Sequence, residues 1–123
     1  HLTQRSCDVA LGVPYNIAGY SFLLHLFAHL SGMKVGTFGH TLVDAHIYTK
    51  KADGSMEEYD HIPGLVEQTK REIKPLPELK INSEIKTLDD VMDLLDKDTE
   101  TIMSKFKLEK YNPEPFIPFR VAV

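Results

Sequence analysis

The densest apolar run of the chain lies between Ile17 and Leu30, where Ile17, Tyr20, Phe22, Leu23, Leu24, Leu26, Phe27 and Leu30 leave little polar face. That spacing predicts a helix buried on most sides. Pro14 suits its first turn, where a missing N–H costs nothing, and Gly32 supplies a stop after Ser31. Ahead of it, His1 to Leu11 reads as extended until Gly12-Val13-Pro14 breaks the pattern. Gly36 and Gly39 open a second strand, expected over 37–49. Within that strand the period of two places Asp44, His46 and Tyr48 on one face.

The rest is more broken. Residues 50–60 are polar, contain Asp53-Gly54, and read as an exposed loop. Leu65, Val66, Thr69 and Ile73 predict a helix over 62–74, ended by Pro75 and Pro77. Leu79-Lys80-Ile81 is a short strand. Thr87-Leu88-Asp89-Asp90 has the form of a capping box with Asp in place of Glu, and predicts a helix to Lys97 or on to Ser104. Its acidic residues from Asp89 to Glu100 read as a solvated face. Residues 106–111 form a last strand candidate, and Pro113, Pro115 and Pro118 make the tail extended.

Composition narrows the function classes. A length of 123 residues suits one domain. A net charge of −4 argues against general nucleic-acid binding, so any anion site must be a local pocket. One cysteine cannot form an internal disulfide and fits a reducing compartment, here read as cytoplasmic. The apolar stretch 21–30 is interrupted by His25 and His29 and is too short to span a bilayer. No membrane partner is expected.

The candidate chemistry gathers in two places. Gln4-Arg5-Ser6-Cys7-Asp8, with Asn16 eight residues on, sets a guanidinium, a hydroxyl, a carboxylate and a carboxamide on one short segment. The guanidinium fork and the hydroxyl suit a phosphate, although a single arginine is more often a surface or ion-pair residue. Asn16 can donate and accept side by side, matching O4 and N3–H of uracil; alternatively it caps its helix. Cytosine presents the reverse pattern. His46 and Tyr48 can bond a sugar hydroxyl, or form an ordinary polar pair in a sheet. Cys7 lacks the neighbours that lower a thiol pKa, Arg5 apart, and reads as a buried structural residue. His25 and His29 stand at i and i+4, but no third ligand has suitable spacing, so no metal is expected.

Together these segments resemble the thymidylate synthase family, in its C-terminal half. The resemblance rests on 4–18, on Gly36-Thr37-Phe38, Asp44-Ala45-His46-Ile47-Tyr48, Pro75-Leu76-Pro77-Glu78-Leu79-Lys80-Ile81, Tyr111-Asn112-Pro113 and Val121-Ala122-Val123, in the family's order and nearly its spacing. It implies an α/β (α+β) fold, a mixed sheet with helices packed on it, with residues 1–123 as part of a single domain. The activity implied is reductive methylation of dUMP to dTMP, with 5,10-methylenetetrahydrofolate as co-substrate. The resemblance implies a dUMP site of Gln4, Arg5, Ser6, Cys7, Asp8, Gly12, Asn16, His46, Ile47 and Tyr48. Asn16 and Asp8 would take part in catalysis, and Asp8 and Ala122 would contact the folate, the terminal residues closing over it. A homodimer with shared active sites is implied as well.

Two departures qualify this. The family's nucleophilic cysteine lies upstream of Arg5, and Cys7 does not replace it; a longer parent protein is therefore expected, with this chain inactive alone. Residues 51–60 look like an insertion, and 87–105 is longer than the family pattern. Two alternatives stand beside the synthase: a pyrimidine-nucleotide hydroxymethylase of the same fold, and a noncatalytic nucleotide-binding module.

Overall fold

The computed structural model describes residues 1–121, which fold as two compact units. The first comprises residues 1–19, 38–73 and the described tail from 113 to 121. Its frame is a pair of parallel strands, β1 (Leu2–Asp8) and β2 (His40–His46), joined through helix α1 (Gly12–Leu30). Parallel strands need such a crossover, and the long apolar helix supplies it. The register is Leu2 to His40, Ser6 to Asp44, Cys7 to Ala45 and Asp8 to His46, and the Val9 N–H extends it by donating to the His46 carbonyl at 3.0 Å.

Strand β2 is shorter than the expected 37–49, so Tyr48 lies just past its end. The loop 50–60 is polar and mostly exposed, as read from its composition, and closes with one 3-10 turn at Glu57–Tyr59. Helix α2 (Ile62–Thr69) stops short of the expected Lys74: the Arg71 N–H caps Gln68, and the Arg71 guanidinium donates to the Pro115 carbonyl at 2.7 Å. The proline-rich tail lies extended against α2. Gly64 makes this possible, because a Cβ there would stand 2.5 Å from Cε1 of Phe119. Gly64→Ala is therefore expected to destabilise the unit by about 1–3 kcal/mol through overpacking. Thermal melting would measure it; an unchanged midpoint would show that Phe119 moves aside freely.

The second unit comprises residues 20–37 and 74–112. Antiparallel strands β3 (Glu78–Ile81) and β4 (Phe106–Glu109) pair in it, and Phe22 of α1 meets Phe106 edge to face at 5.0 Å. Gly32, at φ +67°, ends α1 as the sequence suggests. The capping box forms: Thr87 Oγ1 accepts from the Asp90 N–H, and the Asp90 carboxylate accepts from the Thr87 N–H. These hydrogen bonds, led by that from the Lys86 backbone, hold the Asp90 carboxyl below the usual carboxylate range. The long acidic helix does not form. Helix α3 (Leu88–Met92) passes into a 3-10 turn at Asp93–Asp96, and α4 (Thr99–Ser104) starts afresh behind Asp98. Asp98 accepts from the Thr101 N–H and hydroxyl, so a competing cap divides the run.

The largest difference from expectation concerns α1. Only Leu26 and Ala28 are buried in it, whereas Tyr15, Ile17, Leu23 and Phe27 are exposed, Phe27 by 60%. Leu42 and Val43 of β2 are exposed as well. An apolar helix of this kind needs cover that the described residues do not give it. The 123-residue chain alone is accordingly expected to self-associate, as light scattering would show. A monodisperse, cooperatively unfolding monomer would contradict this.

Candidate functional site

The carboxyl ends of β1 and β2 bring the two sequence clusters together. The parallel register places Asp8 beside His46 and Ser6 beside Asp44, although the partners of each pair stand 38 positions apart in sequence. Ligands of parallel α/β sheets bind at this end of the strands.

Asp8 ends β1. Its Oδ1 accepts the backbone N–H groups of Ala10 and Leu11 at 3.0 and 3.3 Å, which fixes the turn leading into α1. The side chain stays about one-fifth exposed, and Oδ2 has no partner among the described residues. Gly12 stands between two site residues: a Cβ there would lie 3.4 Å from Asp8 Cβ and 3.8 Å from Asn16 Oδ1.

Asn16, on the first turns of α1, is oriented by Gln4. The Ser6 carbonyl can only accept, so the group 2.9 Å from it is the Gln4 NH2. The same nitrogen donates to Asn16 Oδ1 at 2.8 Å, and Gln4 Oε1 accepts from His40 Nε2 at 3.0 Å. Among the described residues the chain of donors and acceptors leaves Asn16 with a free NH2 and one remaining lone pair on Oδ1. Rotating the amide would set two NH2 groups against each other.

Arg5 and Ser6 are exposed on β1, and no carboxylate lies within ion-pair distance of Arg5 among the described residues. Cys7 is fully buried, with its thiol donating to the Gln4 carbonyl at 3.3 Å. Its side chain has no access to a ligand, so the position could contribute only backbone groups. His46 Nδ1–H donates to the Asp44 carbonyl at 3.2 Å, which leaves Nε2 as an acceptor. Tyr48, beyond the strand, meets the His46 ring at 5.3 Å. Ile47 between them is 41% exposed. Ala122, expected at the folate, and Val123 lie outside the described residues.

One residue at this site escaped the sequence reading. His61 is 1% exposed, and its ring packs on Tyr48 and Phe119 at 5.6 and 5.1 Å. Its Nδ1 is 4.0 Å from Asp8 Oδ1. The only hint in sequence is its place just ahead of Ile62-Pro63 at a helix start.

A cavity of about 460 Å³ lies in the second unit among Phe22, Leu26, Leu79, Leu95, Met103 and Phe106. Its lining is apolar and offers nothing to a phosphate or a base edge. The candidate chemistry lies at the β1–β2 ends, and this apolar hollow carries none of it. Among the described residues no group of three or more His, Cys, Asp or Glu could hold a metal, and no helix is long and apolar enough to cross a membrane.

Fold and site define an α/β protein with a carboxylate, an oriented carboxamide and an imidazole gathered at parallel strand ends. The thymidylate synthase family pattern matches residues 1–123 in full, and the chain belongs to that family. It is 40% identical over 122 residues to the thymidylate synthases of Saccharomyces cerevisiae and of Homo sapiens, a span of 99% of this chain but 34% and 33% of those proteins. The thermostable thymidylate synthase A of Bacillus subtilis superposes with a TM-score of 0.75 at 33% identity, over 98% of this chain and 36% of that one. The chain thus spans about a third of the length of these relatives.

Proposed function

We propose that the whole protein carrying this chain methylates dUMP reductively to dTMP, and that these residues form part of its nucleotide and folate site. The observation that carries the reading is the Ser6–Gln4–Asn16 relay, because it fixes a donor and an acceptor in the order that uracil O4 and N3–H require. Arg5 and Ser6 bind the phosphate. His46 Nε2 accepts from the deoxyribose 3′-hydroxyl, and Tyr48 supplies its own hydroxyl there.

Thiolate addition at C6 of the ring throws negative charge onto O4. The Asn16 NH2 meets that charge already oriented, so little reorganisation is needed as it develops. The attacking thiolate belongs to the remainder of the whole protein. Cys7 is unsuited to the task, being buried and bonded to the Gln4 carbonyl.

5,10-Methylenetetrahydrofolate supplies the one-carbon unit and the hydride. The donor set at Asp8 fits its pterin: Oδ1 is held by the turn, and the exposed edge of the carboxylate can accept from ring N–H and amino groups. Ala122 belongs with the terminal residues that close over it and keep water out. The uncovered apolar residues of α1 and β2 suit a homodimer interface, in a single catalytic domain of a cytoplasmic protein.

Incubation of the whole protein with dUMP and methylenetetrahydrofolate tests the reading. Dihydrofolate and dTMP are the expected products. Tetrahydrofolate with hydroxymethyl-dUMP would make it a hydroxymethylase, and dUMP binding without turnover would leave only a nucleotide-binding module.

A further inference from the structure

Buried polar atoms are almost always hydrogen-bonded. Among the side-chain nitrogens and oxygens of the described residues the exception is His61 Nδ1. The other nitrogen explains its state. His61 Nε2 lies 2.8 Å from the Arg120 carbonyl, which can only accept, so Nε2 carries the proton. In the neutral ring Nδ1 is then an acceptor. Asp8 Oδ1, itself an acceptor, lies 4.0 Å away.

Two acceptors at this distance need a donor between them. A water making two hydrogen bonds of about 2.8 Å would subtend about 90° there, close to its own valence angle. We infer that His61 is a positioning residue: its Nε2–H holds the C-terminal segment at Arg120, and its Nδ1 holds the Asp8 carboxylate through a bridging water. One rigid ring thereby sets the distance between the carboxylate at the strand end and the segment that leads to the chain terminus. Tyr48 and Phe119 clamp the ring on two sides, and the bare Gly64 backbone admits Phe119 to that position. The Asp8 turn holds the other end of the link.

The folate consequence rests on the function proposed above; the structural link does not. In the whole protein, nitrogen NMR of the His61 imidazole near pH 8 is expected to show the proton on Nε2 alone. His61→Phe keeps the ring packing and removes both polar arms. Amide exchange of Ile117, Phe119, Arg120 and Val121 is expected to quicken about 10-fold or more in it, as befits loss of a buried hydrogen bond. Its KM for methylenetetrahydrofolate is expected to rise about 10-fold while dUMP affinity stays within about twofold. His61→Gln places an NH2 near the Nε2 position and is expected to keep the segment protected within about threefold.

A proton on Nδ1, a Phe variant with wild-type exchange, or a Gln variant as unprotected as Phe would each overturn the inference. If the Phe variant fails to fold, the tautomer and the Gln comparison still decide. Neither readout involves substrate. Absence of turnover in the wild type would therefore count against the proposed reaction and leave the His61 link standing.

Discussion

Asn16→Asp in the whole protein is expected to cut the preference for dUMP over dCMP, read as the ratio of kcat/KM values, by about 100-fold or more. Two base-edge hydrogen bonds reverse sense in that exchange, and a mispaired buried polar group costs about 1–3 kcal/mol each. On the proposed function, the wild-type preference is expected to come from the relay and not from asparagine alone. A free carboxamide could rotate to present its carbonyl to the cytosine amino group. Here the Ser6 carbonyl fixes the Gln4 amide, and Gln4 fixes Asn16 at 2.8 Å. Rotation would oppose two donors.

A carboxylate at position 16 removes that asymmetry. It still accepts from Gln4, but it repels uracil O4 and, when protonated, complements cytosine. Gln4→Leu is the companion variant: it leaves Asn16 in place and frees its rotation, so a smaller loss of about 10-fold is expected. Paired kcat/KM measurements on the two nucleotides decide the matter. An unchanged ratio in Asn16→Asp would remove the base-reading role. An unchanged ratio in Gln4→Leu would show that something else orients the amide.

Arg5→Ala should weaken dUMP binding by about 100–10,000-fold, because two charge-assisted hydrogen bonds to phosphate contribute about 1.5–3 kcal/mol each. The guanidinium stands exposed, and among the described residues no carboxylate lies within ion-pair distance of it, so its charge is available to a ligand. Arg5→Lys keeps the charge and loses the fork, and an intermediate loss of about 10-fold is expected. Titration calorimetry with dUMP, and with deoxyuridine as the phosphate-free control, separates the effects. The loss should vanish for deoxyuridine. Equal weakening of both ligands would mean that Arg5 acts on the fold and not on the phosphate; binding within twofold of wild type would remove it from the site.

Much of this was legible in the residues. Pro14 and Gly32 marked the ends of α1 closely, the Thr87–Asp90 box formed as read, and the short strands at Leu79–Ile81 and from Phe106 were in place. These are local features, decided by a few neighbouring backbone groups. The failures have a common cause. The acidic run broke at Asp98 because this side chain, the first residue past Lys97, could cap a new start, and periodicity does not weigh one cap against another. The α1 expectation failed differently: apolar composition says that a surface seeks cover, not which chain provides it.

The site divides along the same line. Residue types on 4–16 and 44–48 were enough to suggest a guanidinium for phosphate and a carboxamide for a base edge, since donor and acceptor patterns belong to the side chains themselves. The sequence by itself also determined family membership, through motifs carried in order along the whole chain. Only the tertiary structure decided that Asp8 pairs with His46, that Gln4 orients Asn16, and that His61 bonds to Arg120 with its other nitrogen 4.0 Å from Asp8. Those links join residues 12 to 59 positions apart, or depend on a strand register. Such distances are set by how the backbone packs, and no local preference encodes them.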